Sequence, residues 1–407
     1  MGLIVQKFGG TSLGVMERIR NVARRVVATR RAGHDVVVVV SAMSGETNRL
    51  LSLASAVSSS IDDREKDVLL ASGEQVSAAL LALAIKDCGE SARSFLGHQV
   101  RIATDGVFGK ARIKSIDSAR VIQSLKRGEV VVVAGFQGVD EGDNITTLGR
   151  GGSDTSAVAM AAALDASVCE IYTDVDGIYT TDPGLCQNAR KLARISYDEM
   201  LEMASLGAKV LQIRSVELAK KFGVSVHVRS SFNEVEGTRL VEEEYGMDSV
   251  SVAAVTSDEN EAKITILGVP DRAGLAAQIF GPIAGAHIVV DMIIQNASED
   301  GTTDVTFTVP EGDYAKAMDL VEKTAPLIQA KGIASDTHIV KISIVGVGMR
   351  THAGVAAKMF EVLAEERINI EMIATSEIKV SVIIAENHKE RAVKALHAAL
   401  VENQVTS

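Results

Sequence analysis

Five consecutive valines, Val36 to Val40, constrain the fold of this chain more than any other stretch. β-Branched side chains favour an extended, pleated backbone. A strand with one wet face would alternate apolar and polar positions, and this run does not. It suits a parallel strand covered on both faces by helices. Its surroundings repeat the theme. Leu3–Gln6 reads as a short apolar strand, followed by Lys7-Phe8-Gly9-Gly10-Thr11-Ser12 and a helix from about Val15 to Arg31. Asp67–Ile85 carries a long helical pattern, and Val130–Ala134 and Ser167–Tyr172 read as further strands. A helical stretch around Tyr197–Phe222 precedes a last strand, Val224–Arg229. Strand, turn, helix, strand in repetition predicts an α/β fold with an open, mostly parallel sheet in an αβα sandwich.

In such sheets, ligands bind at the carboxyl ends of the strands. Four of these ends carry Gly, Ser, Thr or Asp clusters: Lys7–Ser12, Ser41-Ala42-Met43-Ser44-Gly45, Gly135–Gly138 and Thr173–Pro183. The turn Gly149-Arg150-Gly151-Gly152-Ser153-Asp154 leads straight into the helical run Thr155–Ala161. Glycines let backbone amides approach an anion, the helix start adds positive potential, and Arg150 offers a planar fork for a carboxylate or phosphate. Taken alone, the same turn is equally a helix start capped by Asp154. Lys7 precedes its glycines, so this is not a Walker-type phosphate loop, yet it can set an ammonium and two amides against a polyphosphate. Taken alone, it is a surface lysine before a flexible turn.

Composition narrows the partners. With 407 residues the chain is long enough for two or three domains. A net charge of −11 argues against nucleic acid and anionic membrane as main partners. Cys88, Cys169 and Cys186 show neither a disulfide framework nor metal-ligand spacing, so they are expected as reduced thiols of a cytoplasmic protein, and no metal ligand is assigned. No run of about 18 apolar residues predicts a membrane span. Met1–Lys7 lacks the pattern of a signal peptide and is expected to be the first strand.

The acidic segment Glu234–Met247, with Gly237 and Gly246, is expected as a boundary, and beyond it the chain repeats itself. Lys263–Val269 matches Lys341–Val347, Ala273-Gly274 matches Ala353-Gly354, and His287–Ile293 matches Arg367–Ile373. Each copy reads strand, turn, helix, strand, strand, helix, the ferredoxin-like βαββαβ plan. The expected division is 1–246 for the α/β domain, 247–337 for the first repeat and 338–407 for the second.

Together with Ala71-Ser72-Gly73-Glu74 and Tyr172–Pro183, these turns resemble the aspartate kinases of the amino acid kinase family, whose C-terminal region is a tandem pair of ACT domains. The resemblance spans essentially the whole chain, with Phe8 standing where many relatives carry tyrosine. It implies transfer of the γ-phosphoryl of ATP to the β-carboxylate of L-aspartate, with Mg²⁺ carried by the nucleotide. Lys7 and Asp154 are then catalytic. Ser41, Thr47, Glu74, Arg150, Gly151, Gly152 and Ser153 are implied on the substrate side. Lys7, Gly9, Gly10, Thr173, Asp174, Tyr179, Asp182 and Lys209 are implied around the nucleotide. Asp271, Ala273, Gly274, Gln295, Asn296, Asn369 and Ile370 are implied to hold an effector, lysine or threonine or both. A homo-oligomer through the ACT domains and a separate regulatory subunit started near Met247 are further implications. Two alternatives stay open: an amino-acid sensor built on an inactive kinase domain, and a kinase of the same fold for another carboxylate.

Overall fold

The computed structural model describes residues 2–208, 210–242, 252–297, 301–346 and 354–402. The chain divides into two compact units: 1–178, 191–204 and 209–245 form the first, and 179–190, 205–208 and 246–407 the second.

The first unit is built on an eight-stranded sheet. Across it lie Arg194–Ser196, Thr238–Val241, Val226–Ser230, Val168–Thr173, Leu3–Phe8, Asp35–Val40, Val130–Ala134 and Ala92–Phe95. All adjacent pairs are parallel except Val226–Ser230 with Thr238–Val241. Val36 to Val40 are all fully buried, as the unbroken run requires. Each such valine contributes roughly 1.5–3 kcal/mol of transfer free energy. Val36, Val38 and Val40 pack with Val22, Val26, Leu81 and Ile85 from the helices Met16–Arg31 and Asp63–Asp87. The helix Gly152–Ala163 lies against strands Leu3–Phe8 and Asp35–Val40.

Three sequence expectations change here. Tyr197–Phe222 is two helices, Tyr197–Ser205 and Ile213–Phe222. The supposed boundary segment supplies the second strand of the sheet, Thr238–Val241, because Thr238 and Leu240 are buried against its neighbours. Asp63–Asp87 is, among the described residues, long and apolar enough to cross a membrane by length and composition. It buries Asp67, Glu74 and Ser77 with its apolar residues, however, and serves as the core helix of this unit.

In the second unit, each repeat forms a four-stranded sheet. The first has Ile293–Ala297, Thr302–Pro310, Glu261–Pro270 and Gly332–Asp336 in spatial order. The second has Ala254–Asp258, Ile339–Val345, Lys379–Ala385 and Met372–Thr375. Ala254–Asp258 therefore completes the second copy although it precedes the first in sequence, pairing antiparallel with Ile339–Val345. The linear division at 337/338 gives way to an interleaved one, in which the first copy is inserted between two strands of the second.

The copies also grip each other reciprocally. Lys263 of the first pairs with Glu371 of the second. The equivalent Lys341 of the second meets Asp291 of the first at 2.5 Å, and Glu261 at 2.8 Å. Met292, Ile339, Met372 and Ile383 form an apolar cluster beside these pairs. Lys341 is 2% exposed, so its charge depends on those carboxylates for solvation. Lys341→Met should destabilise the second unit by about 3–5 kcal/mol, since it strands the buried Glu261 carboxylate. Lys263→Met, at a more exposed pair, should cost less, and denaturant unfolding of the two variants checks the order.

Candidate active site

The site residues gather along four adjacent strand ends. Strand Leu3–Phe8 delivers Lys7, whose Nζ lies 2.6 Å from Asp154 Oδ1, with both side chains only 10% exposed. Asp154 sits in the first turn of the helix Gly152–Ala163. Lys7 Nζ also lies about 3.5 Å from the place a Gly9 side chain would start. The next strand end, at Tyr172, is tied in by Gly9 N–H donating to Tyr172 O at 3.3 Å. Ser231 N–H donates to Thr173 O at 2.9 Å, and Thr173 Oγ1 donates to Asp174 Oδ1 at 3.1 Å. Thr173 and Asp174 thus stand beside the Lys7–Gly9 turn.

On the other side, Ser41 N–H donates to Phe8 O at 3.1 Å and Ser44 N–H to Gly10 O at 3.2 Å. Gly10 admits this approach because a Cβ there would stand 2.9 Å from Ala42 O. Thr47 lies in the first turn of the helix Glu46–Val57, entered through Gly45 at φ 81°. Glu74 reaches across from the helix Asp63–Asp87 and accepts from Ala42 N–H at 2.9 Å through Oε1, while its buried Oε2 has no partner among the described residues. Burial pushes the Glu74 carboxyl up to about 7, against the downward pull of the Ala42 amide. A buried carboxylate with a spare oxygen is suited to receive a cation. Gly135 completes the row: a Cβ there would stand 3.0 Å from Ser153 Oγ and 2.9 Å from Val40 O.

The turn carrying Arg150 is held by residues that the sequence pattern does not single out. Gly149 and Gly151 take φ of 78° and 69°, and a Cβ on Gly151 would meet Gln212 Cγ at 1.7 Å. Arg214 donates to Leu148 O at 2.6 Å and Ala111 O at 2.8 Å. Fully buried Asp67 accepts from Gly109 N–H, Thr147 N–H and Thr147 Oγ1 at 2.7–2.8 Å. Arg150 itself is exposed. Asp67 and Arg214 leave only ordinary helix patterns in the sequence, so nothing there marks them as clamps.

Other implied residues lie elsewhere. Tyr179 and Asp182 belong to the second compact unit, where Asp182 Oδ1 accepts from Gly184 N–H at 2.7 Å. Lys209 lies outside the described residues. In the first repeat, Gly274 at φ 87° opens the helix Leu275–Gly285, with Asp271 and Ala273 exposed just before it. Gln295 and Asn296 lie on strand Ile293–Ala297. Asn369 and Ile370 do not lie on the matching strand of the second copy, which begins only at Met372. They occupy the connection after Arg367, whose left-handed φ of 55° ends the preceding helix as His287, at 59°, does in the first copy.

An α/β domain followed along the chain by a tandem repeat is also what the comparisons find. The amino acid kinase family matches residues 2–230, and ACT domains match residues 263–325 and 342–400. The chain is 57% identical to the aspartokinase of Pseudomonas aeruginosa, covering 98% of this chain and 97% of that one. It is 48% identical to the aspartokinase of Corynebacterium glutamicum, covering 98% and 96%. The structure of Escherichia coli aspartokinase III in complex with aspartate and ADP superposes with a TM-score of 0.83 at 25% identity, over 98% of this chain and 99% of that one. The chain belongs to the aspartokinase family.

Lys7→Met should remove the positive charge that the described residues place beside Gly9, while Asp154→Asn should leave Lys7 present but unanchored. Both should lower kcat on the order of 10²–10³-fold, the scale for losing one preorganised electrostatic partner. Steady-state turnover of the two variants, with circular dichroism as the folding control, checks this.

Proposed function

We propose that the row of strand ends from Thr173 to Gly135, with Glu74 reaching in from its helix, is where the γ-phosphoryl of ATP passes to the β-carboxylate of L-aspartate. The chain is an aspartate kinase: it binds ATP and phosphorylates aspartate, the first step of aspartate-family amino acid biosynthesis, under ACT-mediated feedback. The observation that carries the site assignment is the buried Lys7–Asp154 pair beside the Gly9–Gly10 turn.

The β-carboxylate is ionised at neutral pH and needs no general base. One of its oxygens bonds to the γ-phosphorus as the bond from phosphorus to the β–γ bridging oxygen breaks, and that electron pair leaves with ADP. Catalysis then rests on alignment and on neutralising oxygen charge. Lys7 supplies the fixed cation, and Asp154 holds it aimed. Gly9 N–H is already committed to Tyr172 O. The phosphate-facing donors are therefore the first amides of the turn Gly10–Leu13, which lack partners inside that turn. Mg²⁺ enters with the nucleotide, since it prefers phosphate oxygens and water. Thr173 and Asp174 flank the nucleotide from the neighbouring strand end, and Tyr179, Asp182 and Lys209 are added only by the resemblance.

For the acceptor, Arg150 takes the α-carboxylate as a bidentate fork and Glu74 takes the ammonium. Ser41, Thr47 and Ser153 supply hydroxyls, and Gly151 and Gly152 supply close backbone approach. Lysine or threonine, or both, act as effectors through Asp271, Ala273, Gly274, Gln295, Asn296, Asn369 and Ile370. Association through ACT sheet edges, a regulatory subunit begun near Met247 (outside the described residues) and a cytoplasmic location complete the proposal. ADP release with ATP, Mg²⁺ and aspartate, alone and with lysine, threonine or both, tests it. Aspartate-dependent turnover lowered by an effector is expected, and effector binding without turnover would favour the sensor alternative.

Glu74 makes the acceptor half testable by pH. Burial lifts its carboxyl from the ordinary value of 4.5 to about 7. Its contribution to stability is therefore full below pH 4.5 and lost as pH rises through about 7. Glu74→Gln should thus raise the melting temperature at pH 8 but not at pH 4.5, while weakening aspartate binding. An arriving ammonium favours the ionised carboxylate, so wild-type aspartate affinity should fall as pH drops below 7, with proton release seen by calorimetry in buffers of different ionisation enthalpy.

A further inference from the structure

The second unit assembles a thiol, an imidazole and a carboxylate at one point. Cys186 Sγ lies 3.7 Å from His397 Nδ1, and Glu402 Oε1 lies 2.9 Å from the same nitrogen. The three ligand atoms all fall within 4.8 Å of one another. His397 is fully buried, Cys186 is 6% exposed, and the Glu402 side chain is 31% exposed. Each polar ligand is oriented from behind. His397 Nε2 lies 2.8 Å from Thr180 Oγ1, and Glu402 Oε2 accepts from Asn188 Nδ2 at 3.2 Å, which turns Oε1 toward the imidazole. The segment supplying Cys186 is fixed in the same unit, through Val255 N–H to Thr180 O at 2.8 Å and Arg190 Nη2 to Val401 O at 2.8 Å.

We propose that Cys186, His397 and Glu402 form a three-ligand site for a thiolate-binding divalent cation, Zn²⁺ first, with water in the fourth position. A tetrahedral Zn²⁺ with Zn–S of about 2.3 Å and Zn–N of about 2.0 Å sets its sulfur and nitrogen about 3.5 Å apart, close to the separation here. Glu402 needs to withdraw from Nδ1 by only about half an ångström, and its partial exposure gives both that freedom and an entry path. The hydrogen-bond partners fit the loaded state. Thr180 Oγ1, which accepts from Arg190 N–H at 2.9 Å, has a second lone pair for an Nε2–H. This is the outer-shell contact that fixes a metal-bound histidine. On binding, the Cys186 S–H bond breaks as the S–metal bond forms, and that proton leaves to solvent. The imidazole exchanges an Nδ1–H for an Nε2–H with no net loss.

The site joins residues 211 positions apart and lies outside the residues assigned to catalysis or to effector binding. Its test is a titration of the full chain, stripped with EDTA, first with Co²⁺ and then with Zn²⁺. One equivalent of Co²⁺ should raise a saturable thiolate-to-cobalt charge-transfer band in the near ultraviolet, and Zn²⁺ should abolish it. Cys186→Ser should lose the band while keeping the wild-type circular dichroism spectrum, and Cys88→Ser should keep it. X-ray absorption of the Zn²⁺-loaded wild-type chain, which needs no variant, should show one sulfur in the first shell. Absence of a saturable band, its persistence in Cys186→Ser, or a shell without sulfur would overturn the assignment.

Discussion

Everything in the catalytic half hangs on keeping one ammonium in place. Lys7 projects from a central strand of the sheet, where solvent is scarce, and among the described residues Asp154 gives it a counter-charge at 2.6 Å. That pair obliges the helix Gly152–Ala163 to begin at one fixed height over the sheet. The helix start in turn demands a tight turn before it, and the left-handed glycines Gly149 and Gly151 provide that turn. Arg214 and Asp67 then fix the turn from below. The glycines are thus consequences of where a charge must sit.

What the sequence reveals and what it hides divides along physical lines. The valine run announces burial on both faces because no solvated strand tolerates five apolar positions in succession. The turn at Gly149–Asp154 is visible because left-handed backbone and close approach leave few residue choices. Asp67 is invisible: an aspartate in a helical pattern reads as a solvated face, and only the fold shows that it gathers two backbone amides and a hydroxyl. Thr238–Val241 is hidden for the opposite reason, since four residues of modest β propensity in an acidic stretch carry too little pattern. Cys186 and His397 have no local spacing to betray them, because tertiary packing alone unites them.

Two buried carboxylates show how the same group is used in opposite ways. Glu261 meets a cation within the fold, Lys341 at 2.8 Å from Oε1, and serves cohesion between the ACT copies, although its buried Oε2 has no partner among the described residues. Glu74 meets only the Ala42 amide among the described residues, and burial pushes its carboxyl up to about 7. An internal lysine beside Glu74 would have relieved that cost and, under the proposed function, filled the place of the substrate ammonium. Stability is withheld where a ligand must later supply it.

The interleaving of the two ACT copies bears on how the chain is made. Ala254–Asp258 leaves the ribosome roughly eighty residues before Ile339–Val345, its neighbour in the sheet. At about 5–20 residues per second, that strand waits roughly 4–16 s with an open edge while the whole first copy is synthesised and folds. During vectorial synthesis the first copy must therefore mature as an insert between two halves of an unfinished domain. An exposed edge strand is a template for wrong partners. Nascent chains crowded on one messenger would meet each other at this strand first, making it the point where two growing polypeptides could exchange parts.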